Sequence, residues 1–263
     1  MRRRGSSGGT DGYDRRVSLP DRFFDLAQAH LATLRRDAAA EIEAAAAFTA
    51  DRVAAGGRLH HFDTGHTARE PIRRAGGLVG LHAIEARWDL VHATPPGREP
   101  PGLASTYYYD NEAMGRMVAA RASLAAGDVL WLVSNSGKEP FPVALALGAQ
   151  ARGCAVVAIT CVAFSRSVEA KHPSGRRLFE VADRVIDTRG PVGDAAVDVP
   201  GLGAPICPLS GLLNVAAGWA LQAATVEALL ARGIAPAVYK SVNLPDGFAF
   251  NAEAERRYRE RGI

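Results

Sequence analysis

The sequence predicts an α/β protein of three layers, a parallel sheet doubly wound with helices on both faces. Three observations predict it. Short apolar runs at 128–133 and 155–160 lack the alternation of a half-exposed strand and read as strands buried on both faces. Helical stretches separate such runs, so strand, turn, helix, strand repeats along the chain. Finally, 263 residues with 48% hydrophobic and 22% charged content suit one large α/β domain, and exclude a disordered polymer, a collagen and a disulfide scaffold.

Taken in order, residues 1–20 are expected to be a flexible tail and 21–263 a single domain with helical extensions at both ends. Residues 21–54 are rich in Ala, Leu and Glu with apolar positions at helical spacing, which predicts one or two helices, stopped by Gly56-Gly57. Residues 58–63 are short and glycine-bounded, a strand. Thr64-Gly65-His66-Thr67 follows as a turn, then a short helix is expected at 71–74, ended by Gly76-Gly77, and a strand at 78–84. Four prolines within 94–102 fix φ and remove donors, so that stretch is expected to be an exposed loop or lid. Tyr107-Tyr108-Tyr109 leads into a helix running to about 124. Ser134-Asn135-Ser136-Gly137 breaks the 128–133 strand, and a helix follows to Arg152. After the 155–160 strand come a shorter strand at 184–187, a long helix at 209–232 and a charged helix at 251–261. The 209–230 stretch is long enough to span a bilayer, but Ser210, Asn214, Gln222, Thr225 and Glu227 make it a buried core helix in this reading.

The net charge is +3, and the first 16 residues supply it: Arg2, Arg3, Arg4, Arg15 and Arg16 stand against Asp11 and Asp14. The body is therefore formally neutral, which argues against a nucleic-acid surface. Cys154, Cys161 and Cys207 are odd in number and lack CxxC spacing, so neither a disulfide framework nor a zinc site is expected. They read as small buried residues of a protein in the reducing cytoplasm. No cofactor, no metal and no membrane contact is expected.

In a doubly wound sheet, ligands bind beyond the carboxyl ends of the strands. Two turns there carry chemistry. Ser134-Asn135-Ser136-Gly137 combines hydroxyl donors, a glycine that admits close backbone approach and a helix N-terminus, which together suit a phosphate dianion. The alternative is a plain N-cap turn. Phe62-Asp63-Thr64-Gly65-His66-Thr67 repeats the grammar on another strand. Neither turn has GxGxxG spacing.

Six stretches in order resemble the SIS (sugar isomerase) domain family, and more closely a bacterial subgroup of it: Gly65-His66-Thr67, Arg74-Ala75-Gly76-Gly77, Ser134-Asn135-Ser136-Gly137, Lys171-His172-Pro173-Ser174-Gly175, Pro191-Val192-Gly193-Asp194-Ala195 and Ser241-Val242-Asn243. The resemblance covers about residues 22–250. It implies a flavodoxin-like sheet of about five parallel strands, a phosphorylated sugar as ligand and a homo-oligomer, dimer or tetramer. It also implies phosphate contacts at Thr67, Ser134, Asn135 and Ser136, as in phosphoheptose isomerase-like members. Glu139 departs from the pattern, since those isomerases place a hydroxyl contact there and a carboxylate repels phosphate. Glu139 is expected either to turn outward or to displace the phosphate, with Lys138 offsetting its charge. The isomerases' own catalytic Glu and His have no residue-by-residue match here.

Aldose–ketose isomerisation needs a base and a proton donor. Glu70 is the first candidate base, at the mouth of the 64–67 turn. The alternative is a Thr67-x-x-Glu70 capping box, which Pro71 opposes because it lacks the N–H that a helix begun at Thr67 requires. His66, inside the ligand turn, is a residue type suited to ring opening or proton shuttling, or is bonded to backbone in a tight turn. His172 is either a third catalytic candidate, reaching across a subunit boundary, or part of a surface turn. Thr64, Gly65, Lys138, Asp194 and Asn243 complete the expected binding set. Asp63 is expected to orient His66 or cap its turn, and His60 and His61 to be structural. The function this predicts is a metal-independent sugar-phosphate isomerase working through an enediolate. The alternatives are a phosphosugar lyase or etherase on the same site, and a non-catalytic sugar-phosphate sensor.

Overall fold

The computed structural model describes residues 17–67, 70–87, 96–97 and 108–263. The expected tail through residue 16, most of the 94–102 loop and Tyr107 lie outside these residues. Helices α1 (Leu19–Asp37) and α2 (Ala39–Ala54) lead into strand β1 (Leu59–Asp63). Ser18 caps α1 by accepting from the Asp21 amide, and Gly56, at φ +97°, ends the helical pair in the left-handed region open to glycine. Strand β2 (Leu81–Ala83) follows, then a 3₁₀ turn at Tyr108–Asp110 and helix α3 (Glu112–Arg121), N-capped by Asn111. Strand β3 (Val129–Val133), helix α4 (Pro140–Ala151), strand β4 (Ala155–Thr160), short helices α5 (Val162–Ser167) and α6 (Leu178–Val181), and strand β5 (Arg184–Asp187) complete the winding.

These five strands form one parallel sheet in the order β2-β1-β3-β4-β5. The expected doubly wound architecture and strand number are therefore those of the structure. The alternation of the buried strands explains the three layers. Val129, Trp131 and Val133 face one core, with Ala45 and Ala46 of α2 and a later helix, α7 (Ser210–Ala231). Leu130 and Leu132 face the other, with Phe141 and Leu145 of α4. Trp131 donates its indole N–H to Thr49 Oγ1 of α2 at 3.2 Å, which satisfies a polar group buried in the first core. Helix α7 is long and apolar enough to cross a membrane by length and composition, yet Leu213, Ala217 and Leu221 lie in this core, so it is a core helix here.

Three local expectations need correction. No helix forms at 71–74: the Glu70 amide closes a turn on the Thr67 carbonyl, and Arg73 sits at φ +54°, which ends any helical run. The 78–84 strand shrinks to Leu81–Ala83, because Leu78 instead forms an isolated antiparallel bridge with Val238 and Gly80 is pressed against the Tyr258 ring. An antiparallel ribbon, β6 (Ala195–Val197) and β7 (Ile206–Pro208), appears before α7 where no strand was expected. Beyond α7, the terminal helix α8 (Gly247–Arg261) starts four residues earlier than the charge pattern suggests.

Candidate functional site

Strands β1 and β3 are neighbours, but β2 lies on the far side of β1, so the winding reverses direction between them. That reversal opens a crevice at the carboxyl ends of the two central strands. Register places Asp63 opposite Val133. The two candidate turns therefore leave adjacent strands side by side. Thr64 staples them together: both its amide (3.1 Å) and its hydroxyl (3.2 Å) donate to the Val133 carbonyl.

In the 64–67 turn, Asp63 is the organiser. Its Oδ1 accepts from the His66 amide at 2.9 Å, and its Oδ2 accepts from the Thr67 amide at 2.8 Å and the Thr67 hydroxyl at 2.9 Å. Asp63 thus caps the turn backbone rather than touching the His66 ring. Thr67 is 3% exposed, and the single hydrogen of its hydroxyl is committed to a carboxylate. The same holds for Thr64 with the Val133 carbonyl. Neither hydroxyl has a hydrogen left for a phosphate in this arrangement, so both residues, expected as ligand contacts, serve here as anchors of the turn. Gly65, at φ +110°, is exposed, with open space where a Cβ would stand, and it borders a cleft of about 300 Å³ lined also by His61, Asp63, Ile72 and Tyr109.

The 134–139 turn has a different economy. Its carbonyls are tied outward: Asn135 O accepts from Cys161 N and Thr160 Oγ1, Gly137 O from Leu178 N, and Lys138 O from Lys171 N. The amides of residues 135–139 and the side chains of Ser134, Asn135 and Ser136 make no hydrogen bond to any described residue. The result is a run of donors without partners among the described residues, of the kind that can bind an anion. Gly137 at φ +56° permits it, and a Cβ there would stand 3.0 Å from Leu178 Cβ and 3.2 Å from Thr160 Oγ1. The donors are those of the turn rather than of the helix end. Helix α4 starts only at Pro140, and Pro140 and Pro142 lack the N–H groups that a first turn usually offers.

Glu139 does not turn outward. It is 5% exposed, with Lys138 Nζ at 2.9 Å and Lys171 Nζ at 3.1 Å. Two ammonium groups around one carboxylate leave a local surplus of positive charge, so the carboxylate that departs from the isomerase pattern is neutralised in place. The Glu139 hydrogen bond raises the Lys171 pKa, which keeps that cation charged.

The other candidates disperse. Glu70 pairs with Arg74 at 3.4 Å, both partly in solvent. His172 is buried against α3 of its own chain: Nδ1 accepts from the Ser174 amide at 3.1 Å, and Nε2 lies 3.7 Å from Glu112 Oε1. Burial lowers its pKa against the opposing pull of Glu112. Asn243 is exposed, and its amide contacts Ser241 Oγ at 3.4 Å, with no described contact to either turn. His60 is held by Asp128 at 3.0 Å.

His66 and Asp194, in contrast, are brought together through a residue that the sequence reading passed over. His66 Nδ1 lies 3.1 Å from Ser210 Oγ, and Ser210 donates that hydroxyl to Asp194 Oδ2 at 2.7 Å. Ser210 opens α7, where a serine is an ordinary helix-start residue, and that was the only signal available for it.

Residues 22–161 match the SIS domain family. The chain is 34% identical to a UPF0309 protein of Streptomyces griseus over 92% of its own length and 96% of that protein's. It is 31% identical to a UPF0309 protein of Listeria monocytogenes over 91% and 97% of the two lengths. Among solved structures, the sugar isomerase domain of an RpiR transcription factor from Sphaerobacter thermophilus is 16% identical with a TM-score of 0.46, covering 90% of this chain and 98% of that one. A candidate phosphosugar isomerase from Silicibacter pomeroyi is 15% identical with a TM-score of 0.43; 78% of this chain is covered, and it spans about half, 49%, of that chain.

Proposed function

The chain belongs to the UPF0309 family of SIS-domain proteins, and from that premise we propose that it binds a phosphorylated sugar and isomerises it without a metal. The observation that carries this reading is the set of amides of residues 135–139 and hydroxyls of Ser134 and Ser136 without a partner among the described residues, beside the turn that holds His66. The phosphate is held by the amides of 135–139 with Ser134, Asn135 and Ser136, and Lys138 and Lys171 supply the positive surplus. The bound sugar then lies along the crevice toward His66. The imidazole takes the proton from C2 of the aldose, the electron pair forms the C1–C2 double bond as charge passes to O1, the O2 proton moves to O1 within the enediolate, and the carbon-bound proton returns to C1 as the O2 carbonyl forms to give the ketose. Glu70 is the second candidate to carry that proton, and needs to leave Arg74 to do so. The same reading is of a cytoplasmic homo-oligomer, in keeping with three cysteines that are all free.

The test is incubation with a panel of aldose and ketose phosphates in deuterated water. Deuterium uptake at C2 is expected with wild-type protein. Losing one hydrogen bond to a charged group removes about 1.5–3 kcal/mol, so Ser134→Ala and Ser136→Ala each weaken phosphosugar binding by roughly tenfold to a hundredfold. Calorimetric titration reads that change. Tight binding without uptake sinks the isomerase and leaves a sensor, whereas a product of lower mass points to elimination.

A further inference from the structure

We infer that Asp194 and Ser210 form a hydrogen-bond relay that locks the tautomer of His66, which makes them positioning residues for the proton transfer; this rests on the reading of His66 as the base. The direction of each bond follows from hydrogen counting. Asp194 Oδ1 accepts from the Ser210 amide at 2.7 Å, and Oδ2 accepts from the Ser210 hydroxyl at 2.7 Å. A serine hydroxyl has one hydrogen, and the carboxylate takes it. The contact between Ser210 Oγ and His66 Nδ1 at 3.1 Å therefore runs from ring to oxygen. His66 carries its proton on Nδ1, and Nε2 is left as a lone-pair acceptor with no partner among the described residues. Such a ring can take a proton from carbon, and the imidazolium that results is stabilised through Ser210 by the Asp194 charge.

Other features of the fold converge on this relay. Asp194 adopts φ +75°, a left-handed conformation that aspartate tolerates better than most residues because its side chain bonds locally, and its turn follows Gly193 at φ +85°. The β6–β7 ribbon pairs Ala195 with Pro208. The Leu209 amide bonds the Asp194 carbonyl at 3.1 Å, so the ribbon closes on the residue that precedes α7. The ribbon thereby brings Asp194 to Ser210 across 16 positions of sequence. From the other side, Asp63 fixes the His66 amide. Backbone and ring of His66 are thus held independently, one by the end of β1 and one by the start of α7.

Nitrogen-15 NMR of histidine-labelled protein at about pH 8.5, two units above the ordinary imidazole value, reads the tautomer directly, with His66 assigned by its loss in His66→Gln. Wild type is expected to show the Nδ1–H form. Asp194→Asn is the decisive variant. The Ser210 amide can only donate, so the asparagine must keep its oxygen there and turn its NH₂ to Ser210 Oγ. The serine hydroxyl then points at Nδ1, and His66 is expected to switch to the Nε2–H form. Asparagine tolerates the left-handed conformation, which protects the fold. Ser210→Ala removes the relay and is also expected to shift the ring toward Nε2–H, while Ser210→Thr retains Nδ1–H. In the exchange assay, kcat falls on the order of 10²-fold for Asp194→Asn and Ser210→Ala, with KM nearly unchanged, and recovers in Ser210→Thr. An Nε2–H ring in wild type, or an Nδ1–H ring unmoved by both damaging variants, overturns the relay whatever the activity. A wild type that shows the expected tautomers but exchanges no deuterium supports the relay and removes the isomerase instead.

Discussion

Asp63→Ala is expected to lower the unfolding free energy by about 3 kcal/mol and to weaken phosphosugar binding. The carboxylate accepts three hydrogen bonds from the 64–67 turn, two from amides and one from the Thr67 hydroxyl. Bonds to a charged group contribute about 1.5–3 kcal/mol each, and buried donors left without partners cost about 1–3 kcal/mol each. The His66 amide gains water on a half-exposed residue, but the Thr67 amide and hydroxyl sit in a nearly closed position, so the loss falls mainly on Thr67. With Asp63 gone, nothing fixes the His66 backbone, and the turn no longer lines the crevice. Asp63→Asn separates charge from geometry. One amide oxygen replaces two carboxylate oxygens, and the Thr67 hydroxyl can reverse to accept, but the Thr67 amide cannot. A loss of about 1–2 kcal/mol is expected, between wild type and alanine. Urea unfolding measures both, as a lower midpoint at unchanged slope. An alanine variant as stable as wild type would show that the turn is held by packing alone.

Why that anchor matters was only partly legible in the sequence. The buried strands announced themselves because an unbroken run such as Val129–Val133 has no amphipathic reading, and the turns that follow them are marked by small and hydroxyl residues. What periodicity cannot give is the direction of a hydroxyl hydrogen. Thr64 and Thr67 look like phosphate donors in the chain, yet each is consumed by an acceptor, the Val133 carbonyl and the Asp63 carboxylate. In the sequence Asp63 fits either an orienter of His66 or a turn cap, and its bonds to the His66 and Thr67 amides make it the cap. The β6–β7 ribbon was invisible because its strands are three residues each, too short for alternation to register. Ser210 followed it out of sight, since its partners lie 144 and 16 positions away. Glu139 was legible as a departure, but Lys171, which neutralises it, lies 32 positions further on.

His61 sets the acid limb of stability, and the same argument separates it from His66 as a candidate base. The ring is 4% exposed in the middle of β1, with no hydrogen-bond partner among the described residues. Burial pushes its pKa down from 6.5 to about 4, and the nearby Asp63 charge recovers only part of that shift. The unfolded chain takes up a proton as the pH falls through 6.5, whereas the native state does so only near 4. Above 6.5 the ring is neutral in both states and contributes no pH dependence. Between 6.5 and 4 the unfolded state binds more protons, so stability falls with pH, by about 3 kcal/mol at the lower end. Burial also lowers the His82 and His172 pKa values, so those rings act in the same direction. The informative quantity is therefore the difference from His61→Leu, which cannot titrate. Denaturant unfolding from pH 7 to 4 is expected to show a shallower acid slope in the variant, converging on the wild-type slope above pH 6.5. Identical slopes would mean that His61 is protonated in the native state, paired with Asp63. Burial makes the His61 ring a weaker proton acceptor than an ordinary imidazole, which argues against it as the base for this reaction. Of the histidines at the crevice, that leaves the one with a free Nε2 and a relay behind it.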